Sequence, residues 1–242
     1  MGDKSMGLRE IAGLVASGHY AGASINYRLS GEAVWPAQIH DCKAAVRWIR
    51  GNAAKYHLDP ERLGAIGSSA GGHLAAMLGT SGDVPELEGS IGPHLQSSSR
   101  VIAVVDQFGP AELLAMAEHQ QGRTANDPSS PESLLIGGPL QENPEKARAA
   151  SPLTYVSTDD PPFLILHGTE DPLVPFDQSE RLSRALKAAH VDVTFIPITG
   201  AGHGGFSNPE VARRIQQFFD KHLRHVRDIT ISSNPIPNQS GK

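Results

Sequence analysis

A serine among small residues, an acid before a proline and a histidine among glycines are the residues whose types and order could do chemistry. In Ala65-Ile66-Gly67-Ser68-Ser69-Ala70-Gly71-Gly72-His73, residues Gly67, Ser69 and Gly71 spell G-x-S-x-G. That pattern belongs to a tight strand-to-helix turn that lifts a serine oxygen above a sheet edge. Such a turn is crowded: a side chain at Gly67 or Gly71 is expected to collide with neighbouring backbone, and Ser69 needs an unusual φ/ψ held by a rigid surround. In a chain rich in glycine and serine the pattern alone is weak, so its partners decide.

A serine hydroxyl becomes a competent nucleophile when a base within hydrogen-bond reach takes its proton during attack, and a neutral imidazole suits that role. The imidazole in turn needs a buried carboxylate to hold its other N–H and to stabilise it as it becomes cationic. His203, in Gly200-Ala201-Gly202-His203-Gly204, is the expected base. Asp171 is the expected acid, with Glu170 and Asp177 as competitors; Asp177 reads as the N-cap of the next helix, and Pro172 helps to fix the loop after Asp171. Serine, acid, histidine is the chain order of one known triad architecture. The plainer alternatives are a turn serine at 69 and an ordinary loop histidine at 203. Of the other histidines, His167 reads as hydrogen-bonded locally and His73 as packed on the sheet, while Gln107 and Phe108 could line a pocket or serve structure alone.

Elements must hold these residues at strand ends. Apolar runs predict strands at 20–29, 63–67, 101–105, 163–166 and 191–196. Helical periodicity predicts helices over 5–16, with Leu8, Ile11, Ala12 and Val15 on one face, and over 36 to 52 or 55, 71–78, 111–117, 177–189 and 208–223. Residues 79–100 and 120–158, rich in Gly, Pro and Ser, read as surface excursions. The second reads as a lid or pocket wall with short helices at 131–136 and 144–150. This alternation predicts an α/β class, a mostly parallel sheet with helices on both faces. One domain spans 1–227; the polar tail 228–242 reads as disordered, save for an edge strand that 229–231 could form. In such sheets ligands bind beyond the carboxyl ends of the strands, where Ser69, Asp171 and His203 all fall.

Composition narrows the function classes. The 242 residues, 39% of them hydrophobic, allow one sizeable core. A net charge of -5 with scattered Lys and Arg argues against nucleic acid or an acidic membrane surface as partner. The single cysteine, Cys42, excludes an intrachain disulfide and reads as a buried small hydrophobe rather than a reactive thiol. No cysteine cluster suggests zinc. Without a signal-type or spanning apolar segment, cytoplasm is the default compartment.

Four stretches carry a family resemblance: Ser24-Ile25-Asn26-Tyr27-Arg28-Leu29, Gly67 to Ala75, His167-Gly168-Thr169-Glu170-Asp171-Pro172-Leu173-Val174-Pro175, and Gly200 to Gly204. They resemble the α/β-hydrolase superfamily, and within it bacterial esterases of the feruloyl and acetylxylan type, near the hormone-sensitive-lipase-like carboxylesterases. The resemblance implies that Ser69, Asp171 and His203 are nucleophile, acid and base. It also implies hydrolysis of small-molecule or carbohydrate-linked esters without a cofactor, in a chain that could form a homo-oligomer. A prolyl-oligopeptidase-type peptidase shares the triad order, and a non-catalytic module could retain the scaffold. The family pattern also has a His-Gly-Gly-Gly loop that supplies part of the oxyanion hole, and this chain contains no such motif. Gly2-Asp3-Lys4-Ser5 resembles the segment just after it. The expectation is therefore an N-terminally truncated hydrolase lacking a central strand, with the Ala70 N–H as oxyanion donor, and secretion open if a leader preceded it. The gap is expected to be closed by pairing 20–29 with the nucleophile strand, by residues 229–231 or by a second chain, or to stay open in a weak or inactive esterase.

Overall fold

In the computed structural model, residues 2–82, 84–118 and 124–239 are described. In chain order the elements are α1 (Lys4–Ala16), α2 (Ala37–Gly51), β1 (Gly64–Ser68), α3 (Ala70–Thr80), α4 (Pro85–Glu88), β2 (Ala103–Gln107), α5 (Leu113–Glu118), α6 (Pro131–Ile136), α7 (Pro144–Ala149), β3 (Phe163–Gly168), α8 (Asp177–Ala188), β4 (Val193–Thr199), α9 (Pro209–His222) and β5 (Ile236–Pro237). The five strands form one all-parallel sheet in the order β1-β2-β3-β4-β5. The predicted α/β class is what the chain adopts.

Strand side chains alternate between two apolar layers, as the pleat requires. Val104, Phe163 and Ile165 pack with Ile39 and Val46 of α2, Leu74 and Met77 of α3, and Leu182 and Leu186 of α8. Val105, Leu164, Leu166 and Ile196 pack with Leu14 of α1 and Val211, Ile215, Phe218 and Phe219 of α9. Both faces are thus covered by helices. Cys42 is buried, as expected, and burial pushes its thiol up to about 12. The described part of the second excursion has a small core of its own, in which Met116, Ile136, Leu140 and Ala147 meet Val174. Among the described residues no helix is long and apolar enough to cross a membrane.

Three expectations fail for physical reasons. Residues 20–29 form no strand. Ile25 and Tyr27 still pack on the core, and the stretch is tied to neighbouring elements through side chains: Asn26 Oδ1 accepts from Lys4 N, and Asp41 accepts from Arg28 N and its guanidinium. An extended apolar run needs a ladder partner to become a strand, and among the described residues β1 pairs only with β2, so its outer edge stays open. In α1, Leu8 and Val15 are exposed, and the buried side is Gly7, Glu10, Ile11 and Leu14, the same helix read one face around. The tail is ordered through residue 239: it pairs at 236–237 rather than 229–231, on β4 at the edge opposite β1. Its last three residues, like 120–123 of the second excursion and 83 of the first, lie outside the described residues.

Candidate active site

The turn between β1 and α3 is built by close approach. Ser69 has φ 53° and ψ -119°, a conformation that costs an L-residue on the order of 1–3 kcal/mol and persists only in a rigid surround. A Cβ on Gly67 would run into the Gly71 backbone, and one on Gly72 would lie 2.5 Å from Asp106 Oδ1 and 2.8 Å from the Gln107 carbonyl. A Cβ on Gly71 would meet nothing within 4 Å outside its own helical turn, so the crowding predicted there belongs to Gly72. A paired test follows. Gly67→Ala is expected to lower stability by more than 2 kcal/mol or prevent folding, whereas Gly71→Ala, at a helical position, is expected to be neutral or stabilising by up to about 1 kcal/mol. Denaturant midpoints of the two variants check this.

The residues expected from sequence come together. His203 Nε2 lies 2.9 Å from Ser69 Oγ, and His203 Nδ1 lies 2.7 Å from Asp171 Oδ2. The Asp171 side chain is fully buried; its Oδ1 accepts from Leu173 N at 2.8 Å and Val174 N at 3.0 Å. Burial opposes its ionisation. Hydrogen bonds from His167 and His203, and from the Val174 and Leu173 N–H groups, outweigh that and hold the carboxyl well below the usual range. Of the competitors, Glu170 is exposed, and Asp177 pairs with Arg181 at 2.9 Å in the first turn of α8, whose N-cap is Phe176. The Ala70 N–H opens α3 and, as a first helical position, has no intrahelical acceptor, so it is free to meet a negative oxygen beside Ser69.

Neighbouring residues fix this line. Ser69 N donates to the Gln107 carbonyl at 2.9 Å, tying the turn to β2. Phe108 also has a left-handed backbone, φ 45°, and its buried ring meets the His203 ring edgewise, with centroids 4.8 Å apart. His73 donates Nε2–H to the Ala150 carbonyl at 2.7 Å and meets Trp35 edgewise, which links α3 to the second excursion rather than merely to the sheet. Asp106 is buried, with Oδ1 accepting from Gly109 N at 2.9 Å and Oδ2 without a partner; burial raises it to about 6. Glu10 of α1 accepts from Ser68 Oγ beside the turn, and burial raises its carboxyl. Sequence reasoning missed Glu10 because its partner sits 58 positions away, and no local pattern marks it. Among the described residues, no group of three or more His, Cys, Asp or Glu is placed to hold a metal ion.

The family model BD-FAE matches residues 2–186. The chain belongs to the BD-FAE family. Esterase LipQ of Mycobacterium tuberculosis is 35% identical over 183 residues, covering 74% of this chain and 41% of that protein. This chain therefore spans less than half of that curated relative. Among solved structures, a truncated form of a carbohydrate esterase from gut microbiota superposes with TM-score 0.77 at 42% identity, covering 82% of this chain and 72% of that one. An acetyl ester-xyloside bifunctional hydrolase from Caldicellulosiruptor lactoaceticus superposes with TM-score 0.67 at 27% identity, covering 81% and 70%. The BD-FAE chain thus has the α/β-hydrolase fold, in agreement with the resemblance read from its sequence.

Proposed function

We propose that this chain is a serine carboxylesterase that cleaves carboxylic esters through an acyl-enzyme. The observation that carries the reading is the continuous hydrogen-bonded line from Ser69 through His203 to Asp171. In it Ser69 Oγ attacks the ester carbonyl while His203 Nε2 takes its proton. Asp171 stabilises the imidazolium, the Ala70 N–H receives the oxyanion, and His203 returns the proton to the departing alcohol. Water then attacks the acyl-enzyme by the same relay. Acetyl or feruloyl esters of plant polysaccharide are the proposed substrate class. The relatives described as a carbohydrate esterase and as an acetyl ester-xyloside hydrolase support that choice.

The test compares p-nitrophenyl acetate, acetylated xylan and a matched peptide amide on the purified chain. Ester cleavage without amide cleavage is the expected result. Amide cleavage at a comparable rate would point instead to a peptidase. A folded chain that neither turns over ester nor accepts a fluorophosphonate at Ser69 would mark a non-catalytic module.

A further inference from the structure

We propose that His167 and Ser179 form an outer pair that positions the Asp171 carboxylate for His203. This rests on the assignment of Ser69, Asp171 and His203 given above. His167 is the penultimate residue of β3 and is fully buried. Its Nε2 lies 3.0 Å from the Val174 carbonyl and 3.2 Å from Asp171 Oδ2. Both are acceptors, so Nε2 carries the proton. Its Nδ1 lies 2.7 Å from Ser179 Oγ, so in the neutral ring Nδ1 accepts from that hydroxyl. The tautomer is thus set by partners on both sides of the ring.

The consequence falls on Asp171. Its Oδ2 receives N–H groups from two imidazoles, His203 at 2.7 Å and His167 at 3.2 Å, while Oδ1 receives the Leu173 and Val174 amides. Four donors arriving from a strand end, its own loop and the histidine loop leave the carboxylate one orientation. The ring of His167 is itself walled by Phe108 and Phe176, with centroids 6.4 and 5.5 Å away. Ser179, fully buried in the first turn of α8, extends the line into that helix. A histidine that only filled space would not need both nitrogens matched. The titratable groups facing it are Asp171 from its own loop, Asp106 from β2, and His203 across the shared oxygen.

The test uses the full chain with His167→Phe, His167→Gln and Ser179→Ala. His167→Phe keeps a buried ring and deletes the hydrogen bonds of both nitrogens; kcat on p-nitrophenyl acetate is expected to fall about ten- to a hundredfold with KM little changed, the scale on which outer partners of an oriented side chain act. The downfield proton resonance of His203 Nδ1–H is expected to shift or broaden. His167→Gln, which still offers an N–H to Oδ2, is expected to recover most of the rate, and Ser179→Ala to lose a few-fold in kcat. Folded His167→Phe with unchanged kcat and an unmoved resonance overturns the proposal, as does equal loss in the Phe and Gln variants. If His167→Phe fails to fold, an unmoved resonance in Ser179→Ala overturns it. A wild-type chain without turnover or labelling refutes the esterase reading, and the resonance still decides the role of His167.

Discussion

Ser69→Ala is expected to abolish fluorophosphonate labelling and to cut kcat on an activated ester by about 10⁶-fold. Removing the nucleophile from a fully equipped serine hydrolase site costs on the order of 10⁶ in kcat, with the residual rate supplied by oxyanion donors and binding. An oxyanion donor such as the Ala70 N–H would serve wild type and variant alike, so it leaves this ratio unchanged, while labelling is all-or-none because the probe bonds to the serine oxygen itself. Mass spectrometry of the labelled chain and steady-state turnover check the two halves separately. Turnover that survives Ser69→Ala undiminished would show that hydrolysis comes from elsewhere.

Asp171→Asn is expected to lower kcat by about 10⁴-fold with little change in KM. The reason is local. Four N–H groups converge on the two carboxylate oxygens, and an amide has only one oxygen to offer. With that oxygen kept by the Leu173 and Val174 amides, the new NH₂ faces two imidazole N–H groups. His203 relieves the conflict by moving its proton to Nε2, where it can no longer accept from Ser69. The buried donors left unpaired also cost about 1–3 kcal/mol of stability each. The pH dependence follows with a definite sign. The folded-state pKa of Asp171 lies below its unfolded value, so the stability that its ionised form contributes is present above the ordinary carboxylate range. It is lost as pH falls through the depressed folded value. The stability gap between wild type and Asp171→Asn is therefore widest near neutrality and narrows below about pH 4. Denaturant titrations at pH 7 and pH 3, beside kcat measurements at pH 7, test both statements.

The fold and the central line of the site were legible because each rests on local signals. Leu63 to Gly67, Phe163 to Leu166 and Val191 to Ile196 are apolar runs ending in loops, and each delivers one member of the group. Asp177 reads as belonging to the start of the next helix, which holds although the N-cap itself is Phe176, and glycines marked the turns. What failed was long-range. Ala23 to Tyr27 has strand-like residues, but strand formation depends on a neighbour, and none lies beside β1 among the described residues. Glu10 meeting Ser68 and the Phe108 ring beside His203 are products of packing between elements far apart in sequence. No periodicity encodes them.

The ordered tail changes how this protein would fail. Thr199 and Ser207-Asn208 bracket the loop that carries His203, and both ends are tied to the last described residues. Asn238 N donates to the Thr199 carbonyl at 2.9 Å, Asn238 Oδ1 accepts from Ser207 N at 3.1 Å, and Asn208 Nδ2 donates to the Pro237 carbonyl at 2.8 Å. β5 is only two residues long and pairs with β4 alone, so its separation breaks few ladder bonds. Parting of β5 from β4 would therefore release the loop holding the imidazole while β1 to β4 stayed folded, so heat would silence such a site by local opening before it melted the domain.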